Sequence, residues 1–319
     1  MTLTELAKLA HVSTSTASKA FSMSDEVNEQ TRSLIFETAK KHGCFKKFYR
    51  AEYPNCVIAV LCPEFESAYY SNLLSIMKRT LSEVGAEMCV SEGGFSAQPV
   101  EELIKYYDKF NTVDGIIVIG GYLDVESKHE TPIAVIGNGP ESADIIISAD
   151  ISGAMEDAMR YFHDSGIGRV GFVGDKYTSA RARLIWELAG RYSMQFTERD
   201  AVIAPERFEH GGYLGMKELL SRETPPRVVF LGYDRMAIGA MRAIYEAGLR
   251  IPDDIAVLGV DNDPQSEYLI PSLSSVSHSD VEACRAASRE LTNKIRGREY
   301  SSRIGIEGIF IQRESTKIK

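Results

Sequence analysis

A short run of hydrogen-bonding side chains near the N-terminus has the composition of a surface that reads nucleic-acid bases. Four such residues share one face of a predicted helix: Thr14, Ser15, Ser18 and Lys19. The apolar residues of the same segment face the opposite way: Ala17, Ala20 and Phe21. Hydroxyl and ammonium groups can hydrogen-bond to base edges and phosphates. The pattern therefore predicts an amphipathic helix with a DNA-contacting face.

Two flanking helices must hold that face in place. Thr2 and Glu5 have the spacing of a capping box, Ser13 is a suitable N-cap for a helix over 14–21, and Asn28 can cap a third helix. The expected core residues of the first and third helices are Leu6, Leu9, Ala10, Leu34, Ile35 and Ala39. This order of helices is typical of a helix-turn-helix unit.

Charge distinguishes this unit from a generic three-helix cap on a larger domain. Residues 1–50 contain eight basic and five acidic side chains, a net charge of +3. The whole chain carries -9, so the remainder carries -12. A basic head on an acidic body is expected when only the head approaches phosphate.

The same segment resembles the headpiece of the LacI family of bacterial transcription regulators, which opens with T-x-x-x-(L/V)-A-x-x-A-x-V-S-x-x-T-(V/A)-S-(R/K). The matching residues are Thr2, Leu6, Ala7, Ala10, Val12, Ser13, Thr16, Ala17, Ser18, Lys19, Val27, Thr31 and Arg32. The resemblance implies that Thr14, Ser15 and Ser18 lie toward base edges or nearby phosphates. It also implies contacts with the sugar-phosphate backbone from Ser13, Thr16, Asn28 and Thr31, and it places Thr2 and Lys19 in the DNA-binding set.

Two residues depart from the family pattern. His11 occupies a turn position where the family usually has glycine, so a left-handed backbone there is strained. Lys19 replaces the more usual arginine, and lysine lacks the forked donors that bind guanine bidentately. We therefore expect weaker base reading at Lys19.

The segment after the headpiece also departs from the family, whose hinge reads Y-x-P-N-x-x-A-x-x-L. Lys46 and Lys47 replace the proline and asparagine, and Tyr53 holds the position of the leucine that kinks the minor groove. We expect residues 44–56 to form an atypical linker that contacts DNA through lysine–phosphate contacts and stacked aromatic rings. A leucine wedge is not expected.

Beyond Val57, apolar runs of strand length alternate with helical periods, which indicates parallel, doubly wound sheets. One series ends at DIIIS and a second begins at RVGFVG, so we expect two lobes. The stretch GYDRMAIGAMRAIYEAGLRIPDDIAVLGVD resembles the type I periplasmic-binding-protein fold of the LacI-family body. The expected architecture is an all-α headpiece (1–43), a linker (44–56) and a two-lobed α/β body (57–319). The lobes comprise 57–148 with 278–306, and 149–277 with 307–319.

Bulk composition indicates a soluble globular protein of 319 residues with 44% hydrophobic and 25% charged residues. No signal peptide or apolar run of about 20 residues is evident, so we expect a cytoplasmic protein. The five cysteines lack metal-ligand spacing, and we expect reduced thiols, no metal and no cofactor. The string Gly166-x-Gly168-x-x-Gly171 precedes a predicted strand, the reverse of a dinucleotide-binding motif, and is interpreted as a helix C-cap and turn.

Candidate effector-binding residues follow the predicted strands, because ligands of open sheets bind at the carboxyl ends of strands. By resemblance, Arg183 and Asp261 correspond to the polar pair that clamps vicinal sugar hydroxyls. A structural ion pair is the alternative. The remaining expected site residues are Tyr69, Tyr70, Phe208, Tyr233 and His278. Tyr233 stands where many relatives have asparagine, so a nucleoside or another non-sugar effector is a second possibility.

These patterns predict a sequence-specific DNA-binding transcription regulator. We expect a repressor that binds operator DNA as a homodimer and responds to a small effector, with a sugar as the first choice. One competing prediction is a ligand-binding or transport module with degenerate DNA binding, which the basic head disfavours. The other is an enzyme, which the lack of a nucleophile elbow or P-loop disfavours.

Overall fold

The computed structural model describes residues 1–49, 56–110, 112–123 and 129–318. Two compact units divide the chain: a first unit, Met1–Ser148 with Ala283–Ile304, and a second unit, Ala149–Glu282 with Gly305–Lys319. The linker residues 50–55, which include Tyr53, and the side chain of Lys46 lie outside the described residues.

The first three N-terminal helices begin where the sequence predicts, and a short fourth helix lies within the expected linker. They are α1 (Leu3–Leu9), α2 (Thr14–Phe21), α3 (Glu29–Lys41) and the short α4 (Phe45–Phe48). Thr2 and Glu5 form the predicted capping box at α1. The Ser13 hydroxyl accepts the Thr16 N–H at 2.9 Å, and the Asn28 side chain accepts the Thr31 N–H at 2.8 Å. These bonds satisfy backbone donors that helices leave open at their first turn.

The headpiece core contains most of the predicted residues, with two corrections. Its buried members are Leu6, Ala10, Ala20, Phe21, Val27, Ile35, Ala39 and Cys44. Leu9 and Leu34 were predicted to be core and are instead 46% and 49% exposed. Each is adjacent to a buried residue, Ala10 or Ile35, and consecutive helical positions differ by about 100°. Between α1 and α2, His11 has the left-handed φ of 54° that its turn position requires.

Strands and helices alternate from residue 56 onward. The strands are β1 (Cys56–Cys62), β2 (Ala86–Glu92), β3 (Gly115–Ile119), β4 (Ile133–Ile136), β5 (Ile145–Asp150), β6 (Val170–Gly174), β7 (Ala201–Ile203), β8 (Val228–Leu231), β9 (Ala256–Val260), β10 (Ser274–Ser277), β11 (Arg303–Glu307) and β12 (Ile309–Ile311). The helices are α5 (Ala68–Glu83), α6 (Ala97–Phe110), α7 (Ser152–Asp164), α8 (Ser179–Arg191), α9 (Phe208–Leu220), α10 (Asp234–Glu246) and α11 (Asp280–Ile295).

The strands form two six-stranded sheets with the orders β11-β5-β4-β3-β1-β2 and β12-β10-β9-β8-β6-β7. Strands β1 to β5 pair in parallel, as do β6 to β10, whereas β12 runs antiparallel to β10. The central strands β3, β6 and β9 are buried along their whole length, because helices cover both faces of a doubly wound sheet. The predicted fold class is confirmed.

Two glycines explain local features of the second unit. Gly166 has a φ of +75° just after α7 and before β6, which confirms the predicted helix C-cap and turn. In α10, a Cβ on Gly239 would lie 1.7 Å from the backbone oxygen of Glu209 on α9. Glycine therefore lets these two helices touch through their backbones, which fixes the N-terminal ends of both beside the sheet.

Candidate DNA interface and candidate effector site

The polar face of α2 is presented to solvent. Thr14, Ser15 and Ser18 are exposed, and Lys19 is partly exposed, while the apolar side of the helix is buried. The face is rigid because Ser13 caps the helix and Ala17 is fully buried beneath it. Such a helix has the size and polarity needed to enter the major groove of DNA.

Two helix N-termini flank this face and offer donors to phosphate. Ser13 caps α2, and its hydroxyl also lies 2.7 Å from the hydroxyl of Thr16. Asn28 caps α3 with its side-chain oxygen, and Thr31 lies partly buried in the first turn of that helix. Thr2, at the start of α1, is exposed. Helix N-termini with their partial positive charge are common anion-binding sites.

Lys19 is held by a partner inside the headpiece. Its ammonium group forms an ion pair with the carboxylate of Glu26 in the α2–α3 loop. Arg32 fixes that loop by donating to the carbonyl of Ser24 at 2.6 Å and to that of Val27 at 3.0 Å. DNA must therefore compete with Glu26 for Lys19, a feature that the sequence analysis missed.

The aromatic residues after the headpiece do not present free rings. Phe45 and Tyr49 stack at 4.8 Å, and Phe45 lies 5.0 Å edge-on from Phe36 of α3. Phe48 lies 5.7 Å from Phe21. Phe45, Phe48 and Tyr49 are therefore partly buried against the headpiece, and their stacking on DNA stays a prediction. Lys47 is exposed and donates to the Met1 carbonyl at 2.9 Å.

In the second unit, polar and aromatic residues gather at the carboxyl ends of the strands. Directly or shortly after β6, β7, β8, β9 and β10 come Asp175, Phe208, Tyr233, Asp261 and His278. Parallel strands end on the same edge of a sheet, which brings these side chains together. Of this set, the sequence analysis missed Asp175, although its position after a buried strand carries the same signal.

Tyr233 is a partly buried connector between three of these strand ends. Its hydroxyl donates to Asp175 Oδ2 at 2.9 Å and accepts the Phe208 N–H at 2.9 Å. Burial raises the pKa of Tyr233 well above its usual value, so the hydroxyl keeps its proton at neutral pH. The other oxygen of Asp175 accepts the N–H groups of Tyr177 and Thr178 at 2.9 and 3.0 Å. Tyr233 thus braces the site through its hydroxyl.

Two guanidinium groups cover the ring of Phe208. The Cζ atoms of Arg207 and Arg235 lie 4.4 and 4.0 Å from its centroid. Glu209 fixes Arg235 through two hydrogen bonds of 2.9 and 3.0 Å. Phe208 was predicted to be an aromatic wall for the effector, and the structure instead packs its ring against these arginines. Cation–π contacts of this kind compete with stacking on a ligand.

Asp261 lies beside Arg181 rather than Arg183. Arg181 Nη2 lies 3.9 Å from Asp261 Oδ1 and 3.4 Å from His278 Nε2, and Nη1 donates to the Gly232 carbonyl. His278 Nε2 is also 3.5 Å from Asp261 Oδ1.

Arg183 does not form the predicted pair with Asp261. Its side chain is 84% exposed and binds Glu187 one turn along α8 at 3.1 Å. Residues 181 and 183 are separated by about 200° on a helix, so only one of them can face Asp261. The structural ion-pair alternative for Arg183 and Asp261 is therefore wrong.

The first unit carries a row of partly buried aromatic rings after its strands. Tyr69 and Tyr70, which follow β1, have ring centroids 5.1 Å apart. Tyr70 lies 6.2 Å from Phe95 after β2, and Phe95 lies 6.0 Å from Tyr122 after β3. The tyrosine pair was predicted from the sequence, whereas Phe95 and Tyr122 were not, because single aromatic residues in loops carry no periodic signal.

The described part of the chain provides no cluster of three or more His, Cys, Asp or Glu side chains suited to a metal ion. Nor does any of its helices combine the length and apolar character needed to cross a membrane. Burial raises the pKa of the Cys62 thiol to about 11, so this thiol is a poor nucleophile.

Comparison with known proteins places this geometry among transcription regulators. A family model described as a periplasmic binding protein-like domain matches residues 159–316. The transcriptional repressor PurR of Klebsiella pneumoniae (strain 342) is 27% identical over 337 residues, covering 98% of this chain and 96% of that protein. The repressor CytR of Escherichia coli (strain K12) is 24% identical over 318 residues, covering 94% and 92%.

Solved structures share the fold at lower identity. A complex of the transcriptional regulator CelR with cellobiose matches with a TM-score of 0.68 and 23% identity over 99% of both chains. The lac repressor dimer bound to operator and the anti-inducer ONPF matches with a TM-score of 0.71 and 19% identity, again over 99% of both chains. Both similarities extend from the headpiece through the body.

Proposed function

The chain belongs to the LacI family of bacterial transcription regulators, and from this premise we propose that it represses genes as an effector-controlled homodimer on operator DNA. The observation that carries this proposal is the exposed polar face of α2 on a capped, basic headpiece. One headpiece reads only a few base pairs, and a dimer doubles the reading surface on a pseudo-palindromic site.

The headpiece residues divide into two roles in this proposal. Thr14, Ser15 and Ser18 read base edges, and Lys19 contacts a phosphate after leaving Glu26. The backbone contacts come from Thr2, Ser13, Thr16, Asn28, Thr31, Lys46 and Lys47. The exposure of the α2 face and the two helix N-termini beside it support this division.

Exposed apolar side chains of the second unit support self-association. Tyr245 is 74% exposed, Tyr268 82% and Ile270 95%. Leu269, between Tyr268 and Ile270, packs against the hydrophobic core cluster of the second unit that includes Ile244 of α10. Large apolar groups grouped on a surface are typical of interfaces. A second copy of this chain would remove them from water.

For the effector, we propose a sugar whose hydroxyls bind Asp261, Arg181 and His278. A carboxylate and a forked guanidinium together satisfy neighbouring hydroxyl groups. Tyr69 and Tyr70 stay candidate effector-binding residues, because aromatic rings suit the apolar side of a sugar. Tyr233 and Phe208 support this site through the hydrogen bond from the Phe208 N–H to the Tyr233 hydroxyl, and Arg183 is an exposed cation on α8. A nucleoside is the second candidate, because the same rings stack on a base.

A thermal-shift screen tests the effector proposal. We expect one class among simple sugars and nucleosides to raise the melting temperature of the full-length protein and to change its DNA affinity. The Asp261→Asn variant should lose both responses. Stabilisation by nucleosides alone would overturn the sugar assignment and keep the site. Such a regulator acts in the cytosol, where its DNA is, and performs no catalysis.

A further inference from the structure

Three aspartates converge where β9 ends and α10 begins. Asp234 is the first residue of α10, and Asp261 and Asp263 follow β9. They are only 2%, 9% and 7% exposed. Buried carboxylates repel one another and lose hydration, so each needs donors or a proton.

Asp234 has its donors. Its Oδ1 accepts the Ser275 hydroxyl at 2.7 Å, and its Oδ2 accepts the Ser266 hydroxyl at 2.6 Å and the Asp263 N–H at 2.8 Å. The carboxylate is wedged so closely against β9 that a Cβ on Gly259 would lie 2.0 Å from Oδ1. Burial, and then the negative charge of Asp261, raise the pKa of Asp234 to about 8 despite these bonds.

Asp263 is less well supplied. Its Oδ1 is buried and has no hydrogen-bond partner among the described residues. Arg235 is the nearest favourable charge, but Glu209 holds it bidentately. Burial, followed by the charge of Asp261, raises the pKa of Asp263 to about 6, with a further contribution from Asp280.

The backbone that joins Asp261 to Asp263 is strained and depends on this cluster. Asp261 and Asn262 have φ values of 103° and 55°, which are unfavourable for residues with a Cβ. The Asn262 N–H donates to Ser275 Oγ at 2.9 Å, and the same hydroxyl donates to Asp234. The acid cluster therefore helps to hold the turn that presents Asp261.

We propose that Asp263 makes this turn proton-sensitive, so that a proton taken up on Asp263 tightens the segment that presents Asp261 to the effector. Protonation removes one negative charge from beside Asp261 and from beneath the strained turn. The inference rests on the proposed effector role of Asp261. The other charged groups around the cluster are Arg181 on α8, Arg235 on α10, Glu267 in the turn 264–268, His278 after β10, Asp280 on α11 and Arg313 after β12.

The sign of the stability effect follows from the two protonation equilibria. An aspartate in the unfolded chain has a pKa of 3.8, whereas Asp263 in the folded protein has a pKa of about 6. The folded state binds more protons between these values, so stability falls as the pH rises toward 6 and stays lower above it. Asparagine cannot ionise, and an Asp263→Asn variant should escape this loss.

Thermal and urea unfolding of the full-length protein between pH 4.5 and 8 test the inference. Near pH 8, Asp263→Asn should lower the equilibrium constant for unfolding by up to ~100-fold. Each unit by which folding raises the pKa of Asp263 corresponds to a factor of ten. The gain should shrink toward pH 4.5. The control Asp253→Asn, at an exposed aspartate paired with Arg250 at 3.4 Å, should show no such gain. A gain that is absent at pH 8, or equal at every pH, would overturn the inference.

Two further measurements isolate Asp263. His278→Gln should leave the pH-dependent gain of Asp263→Asn intact, because the gain depends on the Asp263 carboxyl group. Loss of the gain in that background would assign the effect to His278. Hydrogen exchange of wild-type residues 261–268, corrected for intrinsic rates, should show easier opening at pH 8 than at pH 6, and equal opening would contradict the proposal. Neither readout uses effector or DNA, so a failure here is separable from a failure of the regulator proposal.

Discussion

Substituting Arg181 and Arg183 separately tests which arginine supports the carboxyl edge of the second unit. In Arg181→Ala, the Gly232 carbonyl loses a charged donor and Asp261 loses a cation at 3.9 Å. A hydrogen bond to a charged group contributes about 1.5–3 kcal/mol to stability. Arg181 is 22% exposed and solvent screens it in part, so we expect its loss to cost about 2 kcal/mol. Arg183→Ala removes only an exposed i,i+4 pair worth about 0.3–0.5 kcal/mol.

Differential scanning calorimetry of the ligand-free protein measures the difference. For a unit of this size, 1 kcal/mol shifts the melting temperature by about 2–4 °C, so Arg181→Ala should lower it by about 4–8 °C and Arg183→Ala by about 1–2 °C. Arg181→Lys keeps the charge, loses the fork and should fall between them. Equal shifts for the two alanine variants, or a larger one for Arg183→Ala, would refute the assignment of Arg181 to Asp261.

Three other predictions concern the headpiece and the helix packing. In gel shifts, Thr14→Ala and Ser18→Ala should each weaken operator binding by about tenfold and leave random-DNA binding nearly unchanged; equal losses would remove their reading role. Glu26→Gln removes the ion-pair partner of Lys19, so binding to random DNA should tighten. The slope of log binding constant against log salt concentration should become steeper by ~0.9, the value for one added phosphate contact. An unchanged slope would show that Lys19 contacts no phosphate. In urea unfolding, Gly239→Ala should cost several kcal/mol, because its Cβ would meet a backbone oxygen at 1.7 Å. Gly190→Ala on α8 meets no atom within 4 Å and should be neutral or gain up to about 1 kcal/mol, because alanine is the better helix former. Similar stabilities of the two variants would contradict the α9–α10 contact.

The sequence was sufficient for the features that depend on local chemistry and periodicity. The N-caps Ser13 and Asn28 follow from residue type and spacing, and the left-handed turn at His11 follows from the resemblance to the family pattern. Continuous apolar runs predicted the buried strands, and their ends predicted where Asp261 and Tyr233 lie. These features require no knowledge of distant contacts.

The errors arose where long-range packing decides the outcome. Arg181 and Arg183 are equivalent in the string SARARL, and only the rotation of α8 against the sheet selects Arg181. The ring of Phe208 faces Arg207, which precedes α9, and Arg235, which lies on α10. Phe45 continues the headpiece core because Phe36 is available on α3, a pairing that no local pattern reveals.

The most direct test of the regulator proposal is the affinity of the full-length protein for DNA from upstream of its own gene, compared with random DNA of the same length at about 150 mM salt. We expect the upstream DNA to bind at least ~10³-fold more tightly, as is typical of specific recognition. That preference should fall when Thr14 and Ser18 are both replaced by alanine. Equal affinity for both DNAs, unchanged in the double variant, would contradict the account.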